Sequence, residues 1–178
     1  MLRLFVGIEF SPELRLRLSL LQSGVTGAKW VDPGNFHLTL RFIGEVDEGI
    51  AADVDEALLR LKARPFSLQL AGVGTFGGDK PRQLWVGVER EPALGALQSK
   101  IEQALMRAGL PPEPRKFTPH VTLARLWQPK RGDIQQFLAS HAQFRAEPLK
   151  VERFSLIASY PTKAGSVYED QADYPLTG

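Results

Sequence analysis

The sequence predicts a fold of mixed helices and strands, built from two duplicated units that each run β-α-β-α-β. Two observations carry this prediction. Residues 4–14 can be placed over residues 84–94, with matching Leu, Val, Gly, Glu, Pro and Leu at a constant offset of 80 residues. The triplet His-x-Thr begins at His37 and again at His120, 83 residues later. Two copies are too few for a solenoid, so we expect one two-lobed catalytic domain, 1–178, with repeat halves of approximately 1–76 and 82–178.

The first strand and helix of each unit follow from short-range patterns. Apolar runs rich in β-forming residues predict strands at 2–9 and 83–89. Pro12 and Pro92 then occupy a position typical of the first helical turn. In the second unit the helix is predicted by four apolar residues on one face, and it ends near Gly109. These four are Leu94, Leu97, Ile101 and Leu105.

The corresponding helix of the first unit is less regular. Leu14, Leu16 and Leu18 alternate with the period of a strand. We interpret this segment as a helix because its repeat mate is one.

The remaining elements of each unit follow the His-x-Thr triplets. Residues 36–43 and 119–126 are predicted strands that carry the triplets. A helix is expected after each, marked in the first unit by Ile50, Val54, Leu58 and Leu61 and in the second by residues 133–138. Gly49 and Gly132, again 83 residues apart, open these two helices. Strands near 66–73 and 149–158 close the units, and the Gly-rich segment 72–81 is the expected junction between lobes.

The composition is that of an ordinary globular protein. Hydrophobic residues make up 43% and charged residues 24% of the 178 residues, and the net charge is +2. The absence of cysteine excludes disulfides, thiolate metal sites and cysteine nucleophiles. The N-terminus has no signal-peptide pattern, and no run approaches the roughly 20 apolar residues of a membrane span. We therefore expect a cytoplasmic monomer without membrane contact.

The two triplets predict an acid–base pair. Side chains two apart in a strand share a face, so His37 lies beside Thr39 and His120 beside Thr122. A pseudo-twofold axis between the halves would bring both pairs to one central cleft. In-line displacement at phosphorus needs a proton removed on one side and supplied on the other, and imidazole does both near neutral pH. Threonine hydroxyls can donate to phosphate oxygens. We expect no metal and no other cofactor.

The sequence makes further predictions about individual side chains, the first of them from strict alternation. Arg41 would share the face of His37 and Thr39 and bind substrate phosphate. His141 has no threonine two residues later and is expected at the surface. Four aromatic residues are candidates for stacking a base: Phe5, Phe36, Trp85 and Trp127.

At these residues the chain resembles a known family. Residues 36–44 (FHLTLRFIG) and 119–125 (PHVTLAR) look like the two signatures of the two-histidine phosphoesterases. The resemblance is strongest to the bacterial and archaeal RNA 2′,3′-cyclic phosphodiesterases, also called 2′-5′ RNA ligases. It extends over the Trp-Val-Gly-Val strand and a C-terminal segment, 155–159, with Gly165 and Tyr168 beyond it.

This resemblance implies a bilobal α+β fold with both His-x-Thr pairs in a water-filled cleft. It implies metal-independent hydrolysis of RNA 2′,3′-cyclic phosphate ends, or of cyclic nucleotides, to 2′-phosphates. By carry-over His37 is the general acid that protonates the departing 3′ oxygen, and His120 is the base that activates water. The symmetry of the sequence alone does not assign these two roles.

Arg125 matches a family arginine that binds phosphate. Strict alternation places it on the face opposite His120, so a bulge or a strand end must redirect it. Arg115, Lys116 and Lys130 flank the second triplet and are candidates for an RNA path.

Other functions remain open at this stage. The same site could catalyse the reverse reaction, ATP-independent ligation of a cyclic end to a 5′-hydroxyl. A non-catalytic RNA-binding module would not need both histidines and both threonines. A metallohydrolase lacks support, since no second histidine or carboxylate cluster accompanies either triplet. For an imidazole pair we expect a bell-shaped pH profile with both limbs near neutrality.

Overall fold

The computed structural model describes residues 1–178, which form four helices and ten strands. The strands are β1 (Leu2–Glu9), β2 (Ala28–Trp30), β3 (His37–Val46), β4 (Phe66–Leu68), β5 (Leu70–Phe76), β6 (Gln83–Val88), β7 (His120–Leu126), β8 (Leu149–Val151), β9 (Arg153–Thr162) and β10 (Gly165–Pro175). The helices are α1 (Pro12–Ser19), α2 (Glu48–Leu59), α3 (Pro92–Arg107) and α4 (Arg131–Ser140), with a 3₁₀ turn at Pro33–Asn35. The predicted α+β class is confirmed.

The ambiguous leucine run of the first unit forms helix α1. Ser11 caps it, because the Ser11 hydroxyl accepts a hydrogen bond from the Leu14 amide at 3.2 Å. Leu14 and Leu18, four residues apart, are buried, whereas Leu16 between them is 64% exposed. That spacing is the signature of one helical face rather than of a strand.

The strands assemble into two four-stranded sheets and one two-stranded ribbon. The first sheet has the order β10-β9-β1-β3 and the second the order β2-β7-β6-β5, while β4 pairs with β8. The short β2 and the long β10 were not predicted. Strand β2 has only three residues, and β10 carries charged and exposed side chains on a sheet edge.

The closing strands of the two units are exchanged, which corrects the predicted arrangement. Strand β5 pairs with β6 of the second unit, and β9 pairs with β1 of the first. The Gly-rich segment ends in the tight turn that joins β5 to β6, and short connections make antiparallel neighbours. The segment therefore lies inside one sheet and does not separate two lobes.

One hydrophobic core joins both sheets. It contains 35 buried residues, with members from all four helices. Because each sheet is built from both halves of the sequence, the two triplets are held in one continuous structure. No helix combines the length and hydropathy that crossing a membrane requires.

Candidate active site

The two histidines occupy equivalent positions in the two sheets. His37 is the first residue of β3 and His120 the first of β7. The next residues, Leu38 and Val121, are fully buried in the core. The histidines and the threonines two residues later are partly exposed on the other face. As far as the threonines, the predicted alternation of each strand between a core-facing and a partly exposed side is confirmed.

Both imidazole rings are oriented by a backbone carbonyl. The His37 Nδ1 lies 2.6 Å from the Asn35 oxygen, and the His120 Nδ1 lies 2.7 Å from the Thr118 oxygen. A carbonyl oxygen only accepts, so each Nδ1 carries a hydrogen and donates it. Each Nε2 is then left to take up or release a proton.

Aromatic rings pack against both histidines. Phe5 stacks on His37 with ring centroids 4.6 Å apart, and Tyr168 meets the same imidazole edge-on at 5.1 Å. Phe76 contacts His120 edge-on at 4.8 Å. These contacts fix the planes of the rings and remove water from part of their surface.

Burial gives His37 an unusual protonation equilibrium. Burial lowers its pKa to about 4, opposed by the hydrogen bond to Asn35 and assisted by the positive charges of Arg15 and His120. His37 is therefore neutral in the free protein at neutral pH. Strands β3 and β7, whose first residues are these two histidines, lie in contact with each other.

A β-bulge interrupts each motif strand at the same position. Thr39 and Arg41 lie opposite consecutive residues of β1, so the leucine between them is extra in β3. Thr122 and Ala124 lie opposite consecutive residues of β6, and the leucine between them is extra in β7. Beyond each bulge the alternation of the two faces is reversed.

The prediction that Arg41 shares the face of His37 is wrong, because the bulge turns Arg41 into the interior. Its side chain is 6% exposed and forms a two-pronged ion pair with Glu102 of α3, with N–O distances of 2.9 and 3.1 Å. It also donates to the carbonyls of Phe42 and Pro111. All its principal hydrogen-bonding groups are thereby engaged away from the site face.

The second bulge turns Arg125 toward the site face, whereas the first turns Arg41 into the interior. The redirection that Arg125 requires is present: Ala124 is buried, and Arg125 is exposed on the side of His120 and Thr122. The residue at the same position of the first unit is Phe42, which is 55% exposed. Equivalent positions thus present a cation in one half and an aromatic ring in the other.

An open cleft of about 920 Å³ lies beside His37, and neither histidine is among its lining residues. Phe5 and Tyr168, whose rings contact His37, line it together with Phe42 and Arg125. Its other basic side chains are Arg3, Lys29 and Arg115. Sequence reasoning missed Arg3, Lys29 and Phe42, since only the strand pairing brings them together.

Glu9 of β1 is the residue paired with His37 in the register of β1 and β3. Burial raises the pKa of Glu9 to about 7, assisted by a hydrogen bond with Asp170 and by the negative charges of Asp170 and Asp173. Glu9 therefore titrates in the neutral range, and the sequence contained no pattern that pointed to it.

The hydroxyl group of Thr122 has its hydrogen available to donate a hydrogen bond. Gln83 Nε2 donates a hydrogen bond to Thr122 Oγ1. The threonine oxygen is thus already an acceptor, which leaves its own hydrogen for a phosphate oxygen.

The other sequence candidates fall outside the histidine pair. Phe36 is part of the core, with 1% exposure. Lys116 and Lys130 are exposed but do not line the cleft. His141 ends α4 and packs edge-on against Phe137 at 4.7 Å, so it is half-buried rather than fully at the surface.

Comparison with known proteins identifies the family. The family model described as "LigT like Phosphoesterase" matches twice, at residues 8–85 and 86–168. Two proteins named RNA 2′,3′-cyclic phosphodiesterase are similar in sequence. The one from Aeropyrum pernix is 36% identical over 158 residues, covering 87% of this chain and 89% of its own length. The one from Archaeoglobus fulgidus is 31% identical over 173 residues, covering 95% and 97%.

Solved structures show the same fold. A protein of Thermus thermophilus superimposes with a TM-score of 0.82 at 27% identity, over 98% of this chain and 97% of that one. Escherichia coli LigT complexed with 3′-AMP superimposes with a TM-score of 0.79 at 23% identity, over 99% of each chain. The twofold match follows the duplication seen in the sequence, and it covers both histidine triplets. The chain belongs to the LigT-like phosphoesterase family.

Proposed function

We propose that this protein hydrolyses RNA 2′,3′-cyclic phosphate ends to 2′-phosphates by acid–base catalysis with His37 and His120. The observation that carries the proposal is the pair of imidazoles, each with Nδ1 bound to a carbonyl and Nε2 left for proton transfer. The names of the similar proteins support the choice of substrate.

The proposed reaction is one in-line displacement. His120 Nε2 takes a proton from water as the water oxygen attacks phosphorus. The bond from phosphorus to the 3′ oxygen breaks, and His37, which the bound substrate anion converts to imidazolium, donates its Nε2 proton to that oxygen. The product is a 2′-phosphate beside a free 3′-hydroxyl. The fixed Nδ1 bonds mean that neither ring must reorient during this transfer.

The negative charge that develops on phosphorus oxygens needs donors. Thr39 and Thr122 lie on the site face beside the histidines, and Arg125 reaches the same cleft beyond its bulge. Donors fixed in place before the reaction stabilise the transition state more than mobile water does.

The central test is an assay with RNA that ends in a 2′,3′-cyclic phosphate, run with and without excess chelator. We expect a 2′-phosphate product, identified by ³¹P NMR, and an unchanged rate in chelator, because imidazoles supply both proton transfers. A 3′-phosphate product, or activity that chelator abolishes and a divalent ion restores, would contradict the mechanism. A second arm with a 5′-hydroxyl RNA detects ligation at the same site.

The pH profile of kcat/KM should extend to lower pH than the profile of two imidazoles with ordinary pKa values. The reactive pair carries one proton, so activity falls when the second proton binds. Because burial holds the pKa of His37 at about 4, that proton binds only near this pH in the free protein. We expect kcat/KM to fall on the acid side near pH 4. The acid limb of kcat should lie at a higher pH, because the bound substrate anion favours imidazolium and so raises the pKa of His37 in the complex.

The control for this measurement is Glu9→Gln. It removes the carboxyl group of Glu9, which has a pKa of about 7 and belongs to the residue paired with His37 across the strands. The acid limb should survive that substitution. A kcat/KM limb near neutrality that persists in the Glu9→Gln protein would show that burial does not control His37.

Arg125→Ala should reduce kcat/KM by about 10²–10³-fold, because it removes one fixed donor to the transition state. Lys116→Ala is the matched control, since it removes an exposed cation near the second triplet that does not line the cleft. Steady-state kinetics on a cyclic mononucleotide give both values. Equal effects of the two substitutions would mean that Arg125 contributes only general positive charge.

A further inference from the structure

Trp127 is an exposed tryptophan on a rigid backbone. Its side chain is 77% exposed. Its amide donates to the Gly27 carbonyl at 2.8 Å, and a Cβ on Gly27 would lie 2.2 Å from the Trp127 oxygen. Gly27 also has a φ of 78°, a conformation that favours glycine. The chain therefore holds a large indole in solvent at a position where the backbone cannot readily move.

Trp127 follows the last residue of β7, and its amide bonds to Gly27, the residue before β2. Arg125 is exposed, Leu126 is buried and Trp127 is exposed, so the alternation after the bulge places the arginine and the tryptophan on one side. Seven residues separate Trp127 from His120, which corresponds to about 20 Å along a strand. This distance exceeds the length of one nucleotide whose cyclic phosphate lies at the histidines.

Basic side chains connect the cleft to the indole. Lys29 lies opposite Arg125 in the pairing of β2 with β7, and both line the cleft. Lys130 and Arg131 are exposed just beyond Trp127. An exposed aromatic ring near several basic side chains is typical of a binding site for single-stranded nucleic acid. The bases stack on the ring, and the anionic backbone binds the basic side chains.

We propose that Trp127 stacks a base of a nucleotide upstream of the cyclic end, while Lys29 binds the intervening backbone. The occupant is single-stranded RNA, and the inference rests on the proposed hydrolysis of its end. The enzyme then acts more efficiently on RNA chains than on cyclic mononucleotides, which do not reach the indole.

The test compares two substrates in wild type, Trp127→Ala and Trp127→Phe. The substrates are cytidine 2′,3′-cyclic phosphate and a short oligoribonucleotide with the same cyclic end. We expect Trp127→Ala to raise KM for the oligonucleotide by roughly 5- to 150-fold, the range of one base–aromatic stack. Kinetics on the mononucleotide should not change, and Trp127→Phe should recover most of the loss. Tyr160→Ala, an exposed aromatic outside the cleft lining, is the control.

Three outcomes would overturn the inference. The first is an unchanged KM for the oligonucleotide in Trp127→Ala, and the second is an equal loss on both substrates. The third is wild-type self-association that Trp127→Ala abolishes without affecting RNA kinetics, which would assign the indole to a protein interface.

A binding experiment distinguishes a failure of this inference from a failure of the proposed function. If wild type hydrolyses neither substrate, the proposed function fails. Fluorescence anisotropy with an oligoribonucleotide ending in a 2′-phosphate then decides the role of Trp127. Weaker binding by Trp127→Ala supports the stacking site, and equal binding rejects it.

Discussion

His37→Ala and His120→Ala should each remove nearly all hydrolysis of cyclic phosphates. General acid and general base catalysis contribute about 10²–10⁴-fold apiece. Nδ1 of each ring is already bound to a carbonyl, so each substitution removes the one ring nitrogen left for proton transfer. The double variant should be little worse than the poorer single one, as expected of groups that act as a unit. Single-turnover rates on cyclic-ended RNA measure the effect.

The control for these variants is His141→Ala, which should leave turnover unchanged. His141 packs on Phe137 at the end of α4 and has no part in the cleft lining. Circular dichroism and thermal unfolding should show that the two active-site variants remain folded. Full activity in either of them would end the two-histidine mechanism.

Glu102→Ala should lower the free energy of unfolding by about 3–5 kcal/mol, because it leaves the Arg41 guanidinium buried without its partner. The Arg41 side chain is 6% exposed and that of Glu102 19%, so water replaces little of the lost interaction. Urea unfolding measures the change. Arg60→Ala is the control: Arg60 pairs with Glu56 on an exposed helix face, and such pairs contribute about 0.3–0.5 kcal/mol.

The same pair should contribute to acid unfolding. The hydrogen bond from Arg41 is the main cause that lowers the pKa of Glu102. A carboxyl group with a lowered folded-state pKa stabilises fully above its unfolded value, about 4.3, and loses that contribution as the pH falls through the folded value. The double variant Arg41→Met, Glu102→Leu should recover stability relative to Glu102→Ala. Equal stability of wild type and Glu102→Ala would show that the ion pair is not structural.

Local patterns predicted most of the fold and the centre of the site. Alternation separated His37 and Thr39 from Leu38, and the repeat mate of residues 14–18 predicted a helix where alternation alone predicts a strand. Both outcomes depend on neighbours within one element, such as the four-residue spacing of the buried Leu14 and Leu18. The exchange of β5 and β9 was not predictable in the same way, since it follows from how a turn joins two strands of different units.

The orientation of the side chains beyond the bulges could not be predicted from the sequence. Arg41 was placed in the site and lies in the core, and Phe42 lies exposed at the cleft. The bulge itself is held by distant groups: Gln98 of α3 donates to the Leu40 carbonyl at 3.4 Å, and Glu102 binds Arg41. No local pattern around residue 40 records these partners.

The exchanged strands have a consequence for the origin of the site. A single unit would leave the edge of β1 open and would complete its sheet only with the closing strand of a second copy, as in a domain-swapped dimer. Such a dimer would carry two identical His-x-Thr pairs, and any change in one would be imposed on the other. In this chain the turn between β5 and β6 joins the two units, so that constraint does not apply. Equivalent positions could then diverge, and Phe42 and Arg125 are the result within one asymmetric cleft.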